Sequence, residues 1–256
     1  MAKTTEQIVR ELLQAKSIFA AYSQATKMPF VTCDPVSFND QIWLFSSQDL
    51  LKEFAKKQME EKNILMGMRY DQKDYRHLFS TLLCIDVNSV MFVNEEGTAE
   101  LPLSSFVHRA DPENVPKEKR PFLNPQLQLC GLYFMQELRR PVPPQERKNL
   151  KAQEEELIAI LKRSQFLVPM EVTGEEEKRI SVPYLKNKEG DILQPIFSDS
   201  LEFQRFAQGK KLRAAKVDFT KLPELLLEQA KGMVINPKGF NLILNRDQLK
   251  RIAQQN

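Results

Sequence analysis

The fold class is decided by the stretch Gln194-Pro195-Ile196-Phe197-Ser198-Asp199-Ser200-Leu201-Glu202-Phe203-Gln204-Arg205-Phe206-Ala207. An apolar segment ends at Phe197, as expected of a buried strand. Phe197-Ser198 stands at the junction between this strand and a helix expected from Ser200 to Gln208. Phe203 and Phe206 then follow at helical spacing. The stretch therefore predicts a strand that turns directly into an amphipathic helix.

A weaker copy of this stretch lies upstream. Residues 45–55 align with residues 197–207 without a gap, at a constant offset of 152 (197 − 45 = 207 − 55). A second segment, residues 91–97, aligns with residues 233–239 at an offset of 142 (233 − 91 = 239 − 97). The first copy is thus longer by 10 residues between the two segments (152 − 142 = 10). These alignments predict a duplicated architecture.

Length and proline placement set the expected domain organisation. A chain of 256 residues accommodates one or two domains, and the internal repeat favours two. We expect a first domain over residues 1–109 and a second over residues 145–256. Between them, residues 110–144 are rich in proline, which opposes regular structure, and predict a linker. Within that linker the apolar segment Leu127 to Leu138 predicts a docking helix.

The residue patterns predict the α+β class, with two related domains that each have a mixed sheet and flanking helices. In the first copy, the opening helix is expected to continue to Lys27, and Ile64 to Tyr70 to form a buried strand. In the second copy, an acidic turn is expected at Glu175 to Glu177 and a helix at Lys221 to Lys231. Each copy is expected to close with a hairpin.

Composition and charge exclude several classes of protein. The chain carries 37 basic and 34 acidic residues, well mixed, for a net charge of +3, whereas a nucleic-acid-binding protein usually has a concentrated basic face. No apolar run approaches the roughly 20 residues needed to span a bilayer, and the N-terminus lacks a signal pattern. We therefore expect a cytoplasmic protein that does not bind membranes, and the mixed charges disfavour nucleic acid as a partner. The 3 cysteines form no Cys-x-x-Cys pair, which favours free thiols.

The sequence offers no signature of a catalytic, metal or cofactor site. The 8 glycines are isolated, so no phosphate-binding loop is present. His77 and His108 are the only imidazoles, too few for a histidine-rich metal site. His77 is a candidate general base near Asp74 or Cys84, but an ordinary role on a helix surface is the favoured alternative. We assign no catalytic residue, metal ligand or cofactor.

The repeated turns supply the remaining candidates for ligand or partner contact. These are Asn236, Lys238 and Gly239 in the second copy, and Asn94 and Gly97 in the first. Asparagine and glycine are also turn formers by their backbone preferences, so a purely structural role is the favoured alternative. Repetition in both copies is expected under either interpretation.

Two segments resemble the SseB-like family, which is named after an enhanced-serine-sensitivity protein. They are Gln194-Pro195-Ile196-Phe197-Ser198-Asp199, followed by Phe203 and Phe206, and Gly232-Met233-Val234-Ile235-Asn236-Pro237-Lys238-Gly239. In that family a proline-flanked strand ending in Phe-Thr or Phe-Ser precedes a helix, and a later Asn-Pro-x-Gly turn precedes another strand. The first copy departs from this pattern, since its Asn94-Glu95-Glu96-Gly97 turn lacks the proline. The resemblance implies a compact α+β domain without an established catalytic constellation.

Three hypotheses about function follow. The leading one is a non-enzymatic adaptor or regulatory protein that acts through a protein partner or self-association. The second is a small-ligand-binding or enzymatic protein with a cleft between the copies and a role for His77. The third, nucleic-acid binding, predicts a salt-sensitive shift in mobility with nucleic acid.

Overall fold

The computed structural model describes residues 3–108, 115–116, 120–173 and 179–254. They form two compact units, the first comprising Met1–Arg120 with Leu132–Leu150 and the second Pro121–Gly131 with Lys151–Asn256. Helices and mixed sheets occur in both, which confirms the α+β class. No helix in the described part of the chain is long and apolar enough to cross a membrane.

The first unit is built on one mixed sheet. Its helices are α1 (Thr5–Gln14), α2 (Gln48–Glu60) and α3 (Tyr75–Cys84). Its strands are β1 (Ser17–Ser23), β2 (Val31–Cys33), β3 (Asp40–Phe45), β4 (Leu65–Asp71), β5 (Ser89–Asn94) and β6 (Gly97–Pro102). The strand order is β4-β1-β3-β5-β6, with β2 beside β3. Only β3 and β5 pair in parallel; the other described pairs are antiparallel.

Helix α4 (Pro125–Leu138) confirms the helix expected at Leu127 to Leu138. Its residues up to Gly131 belong to the second unit, and those from Leu132 onward to the first. The segment expected to be a linker is thus partly helical. Residues 109–114 and 117–119, in the proline-rich stretch, lie outside the described residues, as does the acidic turn expected at Glu175 to Glu177.

The second unit contains α5 (Leu150–Arg163), α6 (Ser200–Ala207), the short α7 (Leu222–Leu225) and α8 (Arg246–Gln254). Its strands are β7 (Gln165–Thr173), β8 (Arg179–Ser181), β9 (Leu185–Lys186), β10 (Ile192–Ile196), β11 (Leu212–Asp218), β12 (Gly232–Ile235) and β13 (Leu242–Asn245). They form the sheets β13-β12-β10-β9 and β11-β7-β8.

A single bridge links these two sheets. Leu167 and Phe197 exchange two backbone hydrogen bonds of 2.8 and 3.0 Å. Counted through this bridge, the order is β11-β7-β10-β12-β13, with β10 and β12 in parallel. This order, including the position of its parallel pair, is the one found in the first unit.

The repeated stretch builds the same aromatic pair in each unit. In the first, the rings of Phe45 and Phe54 have centroids 5.3 Å apart; in the second, those of Phe197 and Phe206 are 5.1 Å apart. Phe45 and Phe197 are both fully buried. Packing of a helix aromatic on a strand aromatic therefore anchors α2 to β3 and α6 to β10.

The opening helix is shorter than the sequence predicts. It ends at Gln14, and Ser17–Ser23 forms β1, which pairs with both β3 and β4. The prediction of a helix as far as Lys27 was wrong. The neighbouring residues Ala20 and Ala21 point to opposite faces of β1, and both are buried, so the strand is covered on both faces. A strand covered on both faces loses the alternating pattern that distinguishes it from a helix.

Two further expectations need correction. The strand expected at Ile64 to Tyr70 exists as β4, but it is an edge strand whose Met66, Gly67 and Met68 are exposed, so it is not buried. The helix expected at Lys221 to Lys231 ends at Leu225. There the buried side chain of Gln194 accepts a hydrogen bond from the Leu227 N–H at 3.0 Å, which holds the chain in a loop.

Candidate functional site

The Asn236 turn is fixed by a buried polar network in the second unit. Asn236 follows β12, has a φ of 49° and is completely buried. Its Oδ1 accepts a hydrogen bond from the Ser198 N–H at 2.9 Å, and its Nδ2 donates to Ser198 Oγ at 2.7 Å. Asparagine tolerates the left-handed conformation. Its side chain therefore ties the turn to the end of β10, in a position closed to external ligands.

Asp199 extends this network to α6 and α4. Its Oδ1 accepts hydrogen bonds from the N–H groups of Leu201 and Glu202, both at 2.9 Å, and so caps α6. Its Oδ2 accepts from Ser198 Oγ at 2.7 Å and from Gln128 Nε2 at 2.6 Å. Asp199 is 1% exposed. Four donors thus stabilise one buried carboxylate.

Glu202, like Gln128, has one buried side-chain oxygen without a hydrogen bond to the described residues. Arg205 Nη1 donates to its Oε1 at 2.7 Å, whereas its Oε2 receives no hydrogen bond from the described residues. Burial raises the pKa of Glu202 to about 7, because the pairing with Arg205 offsets only part of the desolvation, and the Asp199 charge adds to the rise. A carboxyl group with such a pKa is half protonated near neutral pH.

Gly239 and Lys238 lie against this carboxyl group. A Cβ at position 239 would stand 2.8 Å from Glu202 Oε2, so a larger residue there would force the Glu202 carboxyl group to shift. Lys238 is exposed, and its Nζ donates to the Arg205 carbonyl at 2.7 Å. Of the three contact candidates in this turn, only Lys238 is therefore accessible from outside.

The corresponding turn of the first unit is open. Asn94 is half-buried; its Nδ2 donates to Glu11 Oε1 at 3.2 Å and its Oδ1 accepts from the Glu96 N–H at 3.0 Å. Gly97 has a φ of 138°, and a Cβ there would meet no atom within 4 Å. The two copies of the turn thus share neither a polar network nor a backbone conformation, since φ is positive at Asn236 and Gly97 but not at Asn94 and Gly239.

His77 is exposed on α3. Its carbonyl accepts a hydrogen bond from Thr81 Oγ1 at 2.9 Å, but its imidazole makes no hydrogen bond to the described residues. The hypothesis of an enzyme that uses His77 therefore receives no specific support. No group of three or more metal-ligating side chains occurs in the described ranges of the chain.

The most exposed apolar side chains belong to the loop between β2 and β3. We call Asp34–Asn39 the hairpin tip. Within it, Val36 is 85% exposed and Phe38 75% exposed. Isolated apolar side chains are common on surfaces, whereas contiguous apolar patches mark interaction sites, so two such side chains in one loop form a candidate contact surface.

Asp34 holds the hairpin tip in one conformation. Its Oδ1 accepts hydrogen bonds from the Val36 N–H at 2.9 Å, the Ser37 N–H at 2.7 Å and Ser37 Oγ at 3.0 Å. These bonds hold the pKa of Asp34 below its usual range. Two backbone hydrogen bonds close the loop: the Asp34 N–H donates to the Asn39 carbonyl at 2.9 Å, and the Phe38 N–H donates to the Asp34 carbonyl at 3.0 Å. The apolar residues are thus displayed on an ordered turn.

Phe38 adopts a left-handed backbone conformation, with a φ of 57°. This conformation disfavours bulky residues and costs about 1–2 kcal/mol. The energy is not recovered by burial, since the ring is exposed. Strained backbone positions of this kind cluster at functional sites, which makes Phe38 a candidate functional residue.

Carboxylates surround the hairpin tip. Besides Asp34, they include Asp40, whose Oδ1 accepts from Tyr133 Oη at 2.7 Å, and Glu100, whose Oε1 accepts from Asn39 Nδ2 at 2.8 Å. The bond from Asn39 lowers the pKa of Glu100. Among the residues that the structure describes, no lysine or arginine forms an ion pair with any of the three. The tip is therefore apolar with an acidic surround.

The first unit also contains a cleft of about 220 Å³, which we call the basic cleft. Its lining includes Lys62, Arg139 and Arg140 together with the apolar residues Ala25, Ile64 and Pro141. No acidic residue is found among the described residues that line it. Arg140 donates two hydrogen bonds to Glu137, from Nη2 to Oε1 at 2.7 Å and from Nε to Oε2 at 2.9 Å. Arg139 Nη1 donates to the Ala25 carbonyl at 2.7 Å.

Sequence reasoning did not select Val36 or Phe38. The signal was present, because both lie within Pro35-Val36-Ser37-Phe38-Asn39-Asp40, where turn-forming residues alternate with two large apolar ones. The basic cleft had no comparable signal, since its lining comes from segments far apart in sequence.

The described residues define an α+β protein whose first unit displays the apolar hairpin tip. Residues 145–251 match the family model for the SseB protein N-terminal domain, which supports the SseB-like resemblance over this range. No curated protein matches the sequence.

Two solved structures are similar to this chain. Anabaena Tic22, described as a protein of protein transport, has 12% identity and a TM-score of 0.22, with 92% of this chain and 92% of that chain covered. Tic22 from Plasmodium falciparum has 13% identity and a TM-score of 0.22, with coverage of 89% and 90%. TM-scores at this level do not establish a common fold.

Proposed function

We propose that this is a non-enzymatic, cytoplasmic protein of two SseB-like domains that acts through protein–protein contact as an adaptor or regulatory partner. The observation that carries this proposal is the hairpin tip, where Val36 and Phe38 are 85% and 75% exposed on a turn ordered by Asp34. An ordered apolar tip loses little conformational entropy on binding. It therefore suits a docking element.

The duplication supports the proposed domain composition. The two gap-free alignments and the shared strand order, with its single parallel pair in the same place, are both expected of tandem copies. The turn that most resembles the family, at Asn236, is tied into a buried network. We therefore place the function at the hairpin tip, which differs between the copies, because the residues that the two copies share stabilise the fold.

The charges around the hairpin tip indicate which kind of surface would bind it. The tip is surrounded by Asp34, Asp40 and Glu100. Anionic surfaces such as nucleic acid or acidic lipid would be repelled by these groups. A protein surface with an apolar pocket and basic rim is complementary to them.

The test is crosslinked affinity capture with the tagged full chain. It compares the wild type with the double variant Val36→Ser/Phe38→Asn and with Met59→Ser, which removes a 58% exposed apolar side chain elsewhere. Asparagine is chosen because it tolerates the left-handed conformation of residue 38. Circular dichroism and thermal unfolding check that each variant folds.

We expect the wild type and Met59→Ser to capture one protein in near-stoichiometric amount. This protein is either a different chain or a second copy of the same chain. Its recovery should fall at least about tenfold with the double variant, because exposed aromatic residues dominate such contacts. Equal recovery with all three proteins would refute the proposal.

A further inference from the structure

We infer that the hairpin tip of one chain docks into the basic cleft of a second copy. This inference rests on the proposed function, since it identifies the partner of the same tip. The hairpin tip and the basic cleft both belong to the first unit, so each chain carries both halves of the proposed interface.

Size is the first ground for this pairing. The basic cleft has a volume of about 220 Å³. An apolar cavity of about 150 Å³ in another protein accommodates benzene, so this cleft has room for the phenyl ring of Phe38. Ala25, Ile64 and Pro141 supply apolar surface for the ring, and Ile64 is 42% exposed.

Charge is the second ground. The tip carries Asp34 and Glu100, whose pKa values are both lowered by hydrogen bonds, so that both are ionised at neutral pH. The cleft offers Lys62 and Arg139. Arg139 Nη1 donates to the Ala25 carbonyl, and a guanidinium that is held by hydrogen bonds at its edge still stacks on an aromatic ring through its face. The cationic side chains that line the cleft can therefore contact both the Phe38 ring and the carboxylates around the hairpin tip.

Position is the third ground. Ser23, at the end of β1, pairs with Leu65, at the start of β4, beside the cleft. The antiparallel pairing of Phe19 with Phe45 directs the end of β1 towards the start of β3, where the hairpin tip ends. Tip and cleft therefore lie at the same end of one sheet. Two chains that meet end to end around a twofold axis can make both contacts at once, which gives a closed dimer.

The experiment is sedimentation equilibrium of the full chain from roughly 1 to 200 µM, a range that covers weak and moderate dimers. The tip variant is Val36→Ser/Phe38→Asn. The cleft variant is Lys62→Asp/Ile64→Ser, in which aspartate tolerates the left-handed φ of 62° at residue 62 and reverses its charge. Met59→Ser is the control.

We expect the wild type and the control to dimerise, and each interface variant to raise the dissociation constant at least about 30-fold. An equimolar mixture of the two variants should dimerise more tightly than either alone, because an intact tip then meets an intact cleft. Asp34→Asn retains the Oδ1 acceptor but not the charge, and should weaken the dimer and reduce its dependence on salt.

A monomeric wild type at all concentrations, or a tip variant that dimerises normally, would overturn the inference. So would a mixture that associates no better than its components. A monomeric wild type combined with tip-dependent capture of a different protein would reject self-docking while the proposed function stands. Monomeric behaviour without any tip-dependent capture would reject both.

Discussion

Gly97 and Gly239 occupy the same position in the repeated turn, and the structure assigns them different physical reasons for being glycine. At Gly97 the reason is the backbone, with a φ of 138° and open space around the missing Cβ. At Gly239 it is space, because Glu202 Oε2 would stand 2.8 Å from a Cβ. A shared sequence position therefore does not imply a shared constraint.

Gly239→Ala is expected to destabilise the protein by about 1–3 kcal/mol, because the buried carboxyl group of Glu202 would have to shift away from the new Cβ. Gly97→Ala should cost a similar amount, about 1–3 kcal/mol, through backbone strain. Urea unfolding measures both, with Lys238→Ala as an exposed control expected to change stability by less than about 0.5 kcal/mol. The crowding explanation fails if Gly239→Ala behaves like the control.

Asn236→Ala is expected to cost about 3 kcal/mol. It leaves the buried Ser198 N–H without its acceptor and places alanine at a φ of 49°. Asn94→Ala, at the matching position, should cost less than about 1 kcal/mol, because Asn94 is only half-buried. Urea unfolding of both variants tests this asymmetry; equal losses would contradict it.

At the scale of elements, the two repeated strand-to-helix junctions differ in how their helices are capped. Ser47 caps α2 through one bond, from the Leu50 N–H to its Oγ at 3.3 Å. Asp199, at the aligned position before α6, accepts four hydrogen bonds and is buried. The same junction is thus a simple cap in one unit and the centre of a network in the other.

Asp199→Ala is expected to destabilise the protein by about 3 kcal/mol or more, since it leaves several buried donors unpaired. Ser47→Ala should cost about 1 kcal/mol, the usual value of a helix cap. Chemical unfolding monitored by circular dichroism compares them. A smaller loss for Asp199→Ala than for Ser47→Ala would show that the network contributes little.

The junctions and hairpins were predictable from sequence because their signals are local. Phe203 and Phe206, which follow the Phe197-Ser198 junction at helical spacing, predict an amphipathic helix, and such a helix begins at Ser200. The strand β1 was not predictable, since its identity depends on pairing with β3 and β4, which are distant in sequence. Likewise, Gln128 joins the Asp199 network from α4, 71 residues away, and nothing local to Gln128 indicates this contact.

At the scale of the whole molecule, one buried carboxyl group couples stability to pH. The pKa of Glu202 in the folded protein is about 7, against 4.5 for a free glutamate, mainly because the group is buried. The folded state therefore binds a proton more tightly than the unfolded state. The stability that this proton contributes is complete below pH 4.5 and is lost as the pH rises through about 7.

Glu202→Gln should remove this dependence, because the amide stays neutral while its oxygen still accepts from Arg205. Between pH 5.5 and 8.5 we expect the wild type to lose about 2 kcal/mol more of its free energy of unfolding than Glu202→Gln loses. Urea unfolding at both pH values gives this difference, and Glu224→Gln, at an exposed position, should behave like the wild type. Equal pH dependence in the wild type and Glu202→Gln would mean that Glu202 titrates normally, and the buried network would then have to contain a further donor or a water for its Oε2.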